Sequence, residues 1–238
     1  MSYYFGVICR GLVIMVSDRI SVEYPDEKVS AGKRFFIPRP NLGICFCGNL
    51  PFGQKAAQIL TMTGINLDLE PAVGEPPPFH IENLVSQQSA ISEILSDVYR
   101  DWREKAAGKA WEGFERVDLL LGGTSLHPPF APFLGCLSSS DDFKLQIDHR
   151  HGIFIRHNST QEVLDLVGGG LRVFMEKASN GSSQAKRDLA KRLFPKVLYL
   201  ARRGEDVSDE GDLVFIENAE TEIFEFDSKE ILWNIKHS

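Results

Sequence analysis

Five consecutive apolar residues, Leu12-Val13-Ile14-Met15-Val16, place the tightest limit on what this chain can fold into. A strand presents alternate residues to opposite faces, so a strand with no polar position in between is covered on both. Such a strand belongs in the middle of a layered structure. The preceding segment, Ser2–Cys9, is rich in aromatic and β-branched residues, and Arg10-Gly11 supplies a tight turn between the two. Together they predict a hairpin of Ser2–Cys9 with Leu12–Asp18.

The following residues repeat the theme. A polar loop over Ile20–Gly32 leads to a strand Lys33–Pro38, the turn Arg39-Pro40-Asn41 and a strand ending at Gly48. Pro51 suits the first turn of a helix, and Phe52–Thr63 has helical spacing up to Gly64. Four prolines and two acids within Glu70–Pro78 mark Asn66–His80 as an irregular excursion. From Ile81 to Lys105, Leu84, Ile91, Ile94, Leu95, Val98 and Trp102 recur at three-to-four spacing, which predicts one long amphipathic helix.

Strands then return at Val117–Gly122, Pro132–Leu137, Phe143–Asp148 and Ile153–His157. The triplet Gly168-Gly169-Gly170 opens a helix Leu171–Ala178, and Ser183–Arg203 forms the next, with Pro195 inside it. A final hairpin, Asp212–Glu217 with Ile223–Phe226, and a short helix Lys229–Lys236 close the chain. Strands gathered around helix pairs, with no repeat, low-complexity tract or linker, predict one α+β domain spanning 1–238: two antiparallel sheets packed together with helices outside both, an αββα sandwich.

Composition excludes several functions. A net charge of −7 and an isoelectric point near 5.4 argue against nucleic acid, which needs a basic face. The four cysteines, Cys9, Cys45, Cys47 and Cys136, sit in strand-like apolar surroundings without CxxC spacing, and read as buried thiols of a reducing compartment. The amino terminus has no basic region followed by an apolar one, and no run of about 18 apolar residues occurs. The expectation is a cytoplasmic protein that does not meet the membrane.

The strand pattern, with Gly6, the run Leu12–Val16 ending in Ser17-Asp18-Arg19, the Lys33-Arg34 pair and Gly48 before a helix, resembles the proteasome-like N-terminal nucleophile hydrolases. The short opening Met-Ser-Tyr-Tyr is most similar to their bacterial Anbu-type group, where the nucleophile follows the initiator methionine. The likeness is specific over residues 2–60 and architectural over 117–170. It implies the αββα fold, a nucleophile at Ser2, a structural aspartate at Asp18, a cation sixteen residues beyond it, and a Gly48 N–H facing the oxyanion. The family's cation is a lysine. Here Arg34 holds that position and Lys33 lies one residue before it, and both remain candidates. Two further elements depart from the family: Gly169 stands in for a turn serine, and Asp206 and Asp209 within Asp206-Val207-Ser208-Asp209 for a late Asp-x-x-Ser. The resemblance also implies self-association into rings or arcs, and peptide or small amide substrates.

The chemistry of these residues stands beside that resemblance. A serine hydroxyl needs a base to take its proton. An α-amine, with an ordinary pKa of about 7.7–8, is partly free base near neutral pH. Ser2 therefore carries nucleophile and base together once Met1 is removed, and neither metal nor organic cofactor is called for. Arginine at position 34 keeps its charge where a lysine can share a proton. Asp18 and Arg34 also read as a plain structural ion pair, which leaves open a second function, a non-catalytic assembly subunit. The glycine triplet lacks the lysine of a phosphate loop, His149 and His151 lack a third metal ligand, and no Gly-x-Ser-x-Gly elbow is present.

Overall fold

The computed structural model describes residues 4–19, 23–24, 27–28, 34–48, 50–64, 79–106, 117–125, 129–150, 152–154, 161–201 and 210–227. The first hairpin joins β1 (Tyr4–Cys9) to β2 (Leu12–Asp18). Its turn places Arg10 at φ +49° and Gly11 at +86°, the left-handed region where glycine carries no steric penalty. Within the predicted polar loop lies a pair of two-residue strands, β3 (Glu23–Tyr24) and β4 (Glu27–Lys28). Then come β5 (Phe35–Arg39), β6 (Leu42–Cys47) and α1 (Leu50–Gly64).

The helix predicted as continuous over 81–105 is two: α2 (Ile81–Ser86) and α3 (Gln88–Ala106), separated at Gln87. The strands β7 (Asp118–Thr124), β8 (Pro132–Ser138), β9 (Gln146–Asp148) and β10 (Gly152–Phe154) follow. The strand expected from Phe143 starts only at Gln146, because Asp142 and Phe143 both take positive φ after a short 3-10 turn. Then come α4 (Gln161–Ala178) and α5 (Ser183–Ala201), and β11 (Glu210–Glu217) with β12 (Glu220–Asp227). The predicted terminal helix over 229–236 and most of the 66–80 excursion lie outside the described residues.

The strands form two five-stranded antiparallel sheets, ordered β10-β1-β2-β11-β12 and β5-β6-β7-β8-β9. Period-two alternation then builds the layers. On β1 and β2, Phe5, Val7, Leu12, Ile14 and Val16 meet Phe174, Phe194 and Leu198 of α4 and α5. Their alternate neighbours Tyr4, Ile8, Val13 and Met15 meet Cys45, Leu120 and Leu134 of the second sheet. That second sheet turns Ile44, Phe46, Leu119 and Leu121 to the other side, against Phe52, Leu60, Leu84 and Leu95 of α1, α2 and α3. Both faces of the opening apolar run are thus covered, one by helices and one by a sheet. The chain is an α+β sandwich of two antiparallel sheets with helices on their outer faces.

The sheets approach closely because small residues line part of their interface. A Cβ at Gly6 would sit 2.8 Å from Leu134, and one at Gly122 would sit 2.4 Å from the Met15 sulfur. At one end the sheets are stitched by turns. Ala219 N–H of the β11–β12 turn donates to Thr124 Oγ1 at 3.2 Å and the Thr221 hydroxyl donates to the Pro40 carbonyl, while within the second sheet Asn41 Nδ2 donates to the Thr124 carbonyl at 2.9 Å. At the opposite end lie the start of β1 and the end of β2.

Candidate functional site

Asp18 is the last residue of β2 and lies opposite Gly211 on β11. One residue earlier, Ser17 lies opposite Tyr4, the first described residue of β1. Arg34 belongs to the other sheet: it immediately precedes β5, and its carbonyl accepts from Phe46 N–H at 3.3 Å. The Arg34 Nε stands 3.3 Å from Asp18 Oδ1, with both side chains at or below 5 % exposure. A buried ion pair therefore bridges the two sheets at the end away from the stitching turns. Residues sixteen apart in sequence meet here because the second sheet folds back over the first.

The pair is imperfectly matched. Arg34 Nε and Nη1 are buried and, among the described residues, neither has a hydrogen-bond acceptor, so the Nε contact is Coulombic without hydrogen-bond geometry. Arg19, the next residue after Asp18, behaves differently. Its Nε and Nη2 grip Asp212 at 3.2 and 2.8 Å, Nη2 also reaches Glu225 at 2.7 Å, and Nη1 reaches Glu210 at 3.4 Å. Asp212 first, and then Glu225, raise the guanidinium pKa above its ordinary value. Arg19 ties β2 to β11 and β12 and is a structural clamp.

Around the Asp18–Arg34 pair sits a shell of weakly polar groups. The Ser17 hydroxyl donates to the Asp18 carbonyl at 2.9 Å. Burial pushes the Cys45 thiol far up, while Ser17 and the Arg34 charge pull it the other way. Burial likewise raises Tyr4 well above an ordinary phenol, with Asp118, Cys47, Cys45 and Cys136 adding to the shift. Across the second sheet, Cys47 pairs with Asp118 and Asp118 with Ser138, a row at this same end. Tyr4, Asp118 and Ser138 carried no signal in sequence, since each reads as an ordinary strand residue until the sheets pair.

Gly48 follows β6 directly and adopts φ +101°, a conformation a side chain would strain. Gly169 is not in a turn. It lies inside α4, where a Cβ would meet nothing within 4 Å, so α4 starts ten residues before the helix expected at Leu171. Ser2, Lys33, Asp206 and Asp209 lie outside the described residues. His149 Nδ1 is 3.1 Å from the Pro132 carbonyl, a loop contact, and His151 is outside the described set. Among the described residues no group of three or more His, Cys, Asp or Glu is placed to hold a metal, and no helix is long and apolar enough to cross a membrane.

A scan against models of known protein families finds no match, and a search of curated proteins finds none either.

The thiols allow a direct check of this packing. Cys9, Cys45 and Cys136 are buried and Cys47 is half-buried. A maleimide added to the native protein should give one adduct by intact mass, lost in Cys47→Ser, against four adducts in urea. The raised Cys45 pKa also has a sign. The native state holds the proton more tightly than the unfolded chain, so this contribution is complete below the unfolded thiol pKa of about 8.5 and declines above it. Urea melts should show stability falling from pH 8.5 to 10, and less steeply in Cys45→Ala; equal slopes would contradict the assignment.

Proposed function

We propose that this protein is an amide or peptide hydrolase of the proteasome-like N-terminal nucleophile type, with the four-layer αββα fold of that class and Ser2 as its nucleophile. The observation that carries the reading is the buried Asp18–Arg34 pair joining the two sheets where β1 begins. Ser2 precedes Tyr4 by two residues, a tether of at most about 7 Å.

Removal of Met1 frees the Ser2 amine. That amine takes the Ser2 hydroxyl proton, directly or through one water, as the oxygen attacks the substrate carbonyl. The oxyanion accepts from Gly48 N–H, a donor whose backbone glycine alone holds without strain. The ammonium then returns its proton to the leaving amine, and water releases the acyl group from Ser2. Asp18 fixes Arg34, whose charge favours the anionic forms of the reacting oxygens. Peptides or small amides are the substrate class, and self-association into a ring or arc encloses the site.

One observation favours the second reading, a non-catalytic assembly subunit: the cation facing Asp18 is an arginine, where the resembling family has a lysine that exchanges protons. Intact mass with and without a β-lactone separates the two. The hydrolase reading expects loss of Met1 and a single adduct that is absent in Ser2→Ala. Retained Met1 with no adduct leaves the subunit reading.

A further inference from the structure

Helix α4 buries Val167, Leu171 and Phe174 against the first sheet and α5. Its opposite face presents Leu166 and Val173, seven residues apart and therefore in line along the helix, at 37 and 41 % exposure. Between them Gly169 leaves a notch, since a Cβ there would meet nothing within 4 Å. Glycine costs a helix stability relative to alanine, and Gly170 recovers that cost by admitting Val197 of α5. Among the described residues nothing recovers it at Gly169. A notch set between two apolar side chains in line fits the crossing of another helix, whose distance of approach is fixed by the side chains at the contact.

The helix that fits is α4 itself. The exposed Asp165 and Arg172 repeat the seven-residue spacing and share one flank. Because α4 runs Gln161–Ala178, Gly169-Gly170 is its midpoint. Two copies crossed antiparallel there set Leu166 of each against Val173 of the other, and Asp165 of each beside Arg172 of the other. Glu176 then falls beside the amino-terminal end of the other helix, where the helix dipole favours an acid. A parallel pair would oppose Asp165 to Asp165 and Arg172 to Arg172. Asp165 is also engaged within its own chain, so the apolar contacts carry the association and the charges set its direction.

We propose that the outer face of α4 is a two-fold docking surface for a second copy of this chain, the two helices crossing antiparallel at Gly169-Gly170. Such a contact uses the same patch on both copies, which is what a two-fold axis demands. It lies on the outer side of the first sheet, and it holds for the hydrolase and for the assembly subunit alike.

Sedimentation equilibrium on the full chain tests this. Wild type should contain an even number of chains. Val173→Glu should halve that mass, and so should Gly169→Leu, which fills the notch without meeting its own chain. A wild type that sediments as a single chain, or a mass that either substitution leaves unchanged, overturns the proposal. A cross-link decides the matter even where those variants fold poorly. Two Cα atoms more than about 7 Å apart cannot be bridged by a disulfide, so Gly169→Cys should oxidise to a covalent dimer only if the helices cross closely at that point. The background is wild type, whose half-buried Cys47 is its most accessible thiol among the described residues. No covalent dimer above that background on a non-reducing gel ends the proposal.

Discussion

Replacing Asp18 with Asn should cost about 3–5 kcal/mol of stability, the range for removing one partner of a buried ion pair. At about 2–4 °C per kcal/mol for a chain of this size, the melting temperature falls by roughly 10 °C. The amide keeps the shape of the carboxylate, loses its charge and replaces one acceptor oxygen with an NH2 donor. What remains is the Arg34 guanidinium at 5 % exposure, with Nε and Nη1 already lacking hydrogen-bond acceptors among the described residues. Its burial leaves little solvent to compensate, and the Cys45 thiol, which holds its proton, supplies no anion. Differential scanning calorimetry at pH 7 measures the shift. A fall of 2 °C or less would mean that the guanidinium escapes to solvent, and that the end of the sandwich is looser than its burial indicates.

The second large effect belongs to the opposite layer. Phe194 of α5 is fully buried, with its ring edge-on to Phe5 of β1 at 5.4 Å and 4.8 Å from the Phe174 ring of α4. It is the point where both outer helices and the first sheet meet. Phe194→Ala removes that ring and leaves a cavity that Pro195, with its fixed φ, hinders the helix from collapsing into. The expected loss is about 3–5 kcal/mol, read as a shift in the urea midpoint. Phe194→Leu keeps most of the volume and should lose less than half as much. Equal losses in the two variants would place the energy in the aromatic contacts and not in the filled volume.

Much of the fold was legible because strands announce themselves by what they lack. The runs Leu12–Val16 and Leu119–Leu121 offer no polar residue for a solvent face, and both strands are covered on both sides. Errors arose where local propensity and packing disagree. Gly168-Gly169-Gly170 reads as a break, since each glycine costs a helix about 1 kcal/mol relative to alanine. Yet α4 runs through all three. Val167, Leu171 and Phe174 flank the triplet on the buried face, and a Cβ at Gly170 would lie 2.4 Å from Val197 of α5. The glycine lets the two helices come close, and the burial gained offsets its propensity. The opposite error came at Gln87, where apolar spacing carried on across a chain that breaks. Periodicity reports which face is buried, not whether the backbone bonds are continuous.

The candidate site divides along the same line. By itself the sequence determined the two-sided burial of the Leu12–Val16 run, the sixteen-residue spacing of Asp18 and Arg34, and the glycine at position 48. All of these are properties of neighbours along the chain. The spacing favoured Arg34 over Lys33 as the partner of Asp18 without deciding between them, because a slip of one residue in a strand exchanges its faces, and Lys33 lies outside the described residues. Only the stacking of the second sheet on the first brought Arg34 within 3.3 Å of Asp18 and set Tyr4, Cys45, Cys47 and Asp118 around the same end. Charge and hydrogen bonding act over a few ångströms, and which groups come that close across two sheets is decided by tertiary packing.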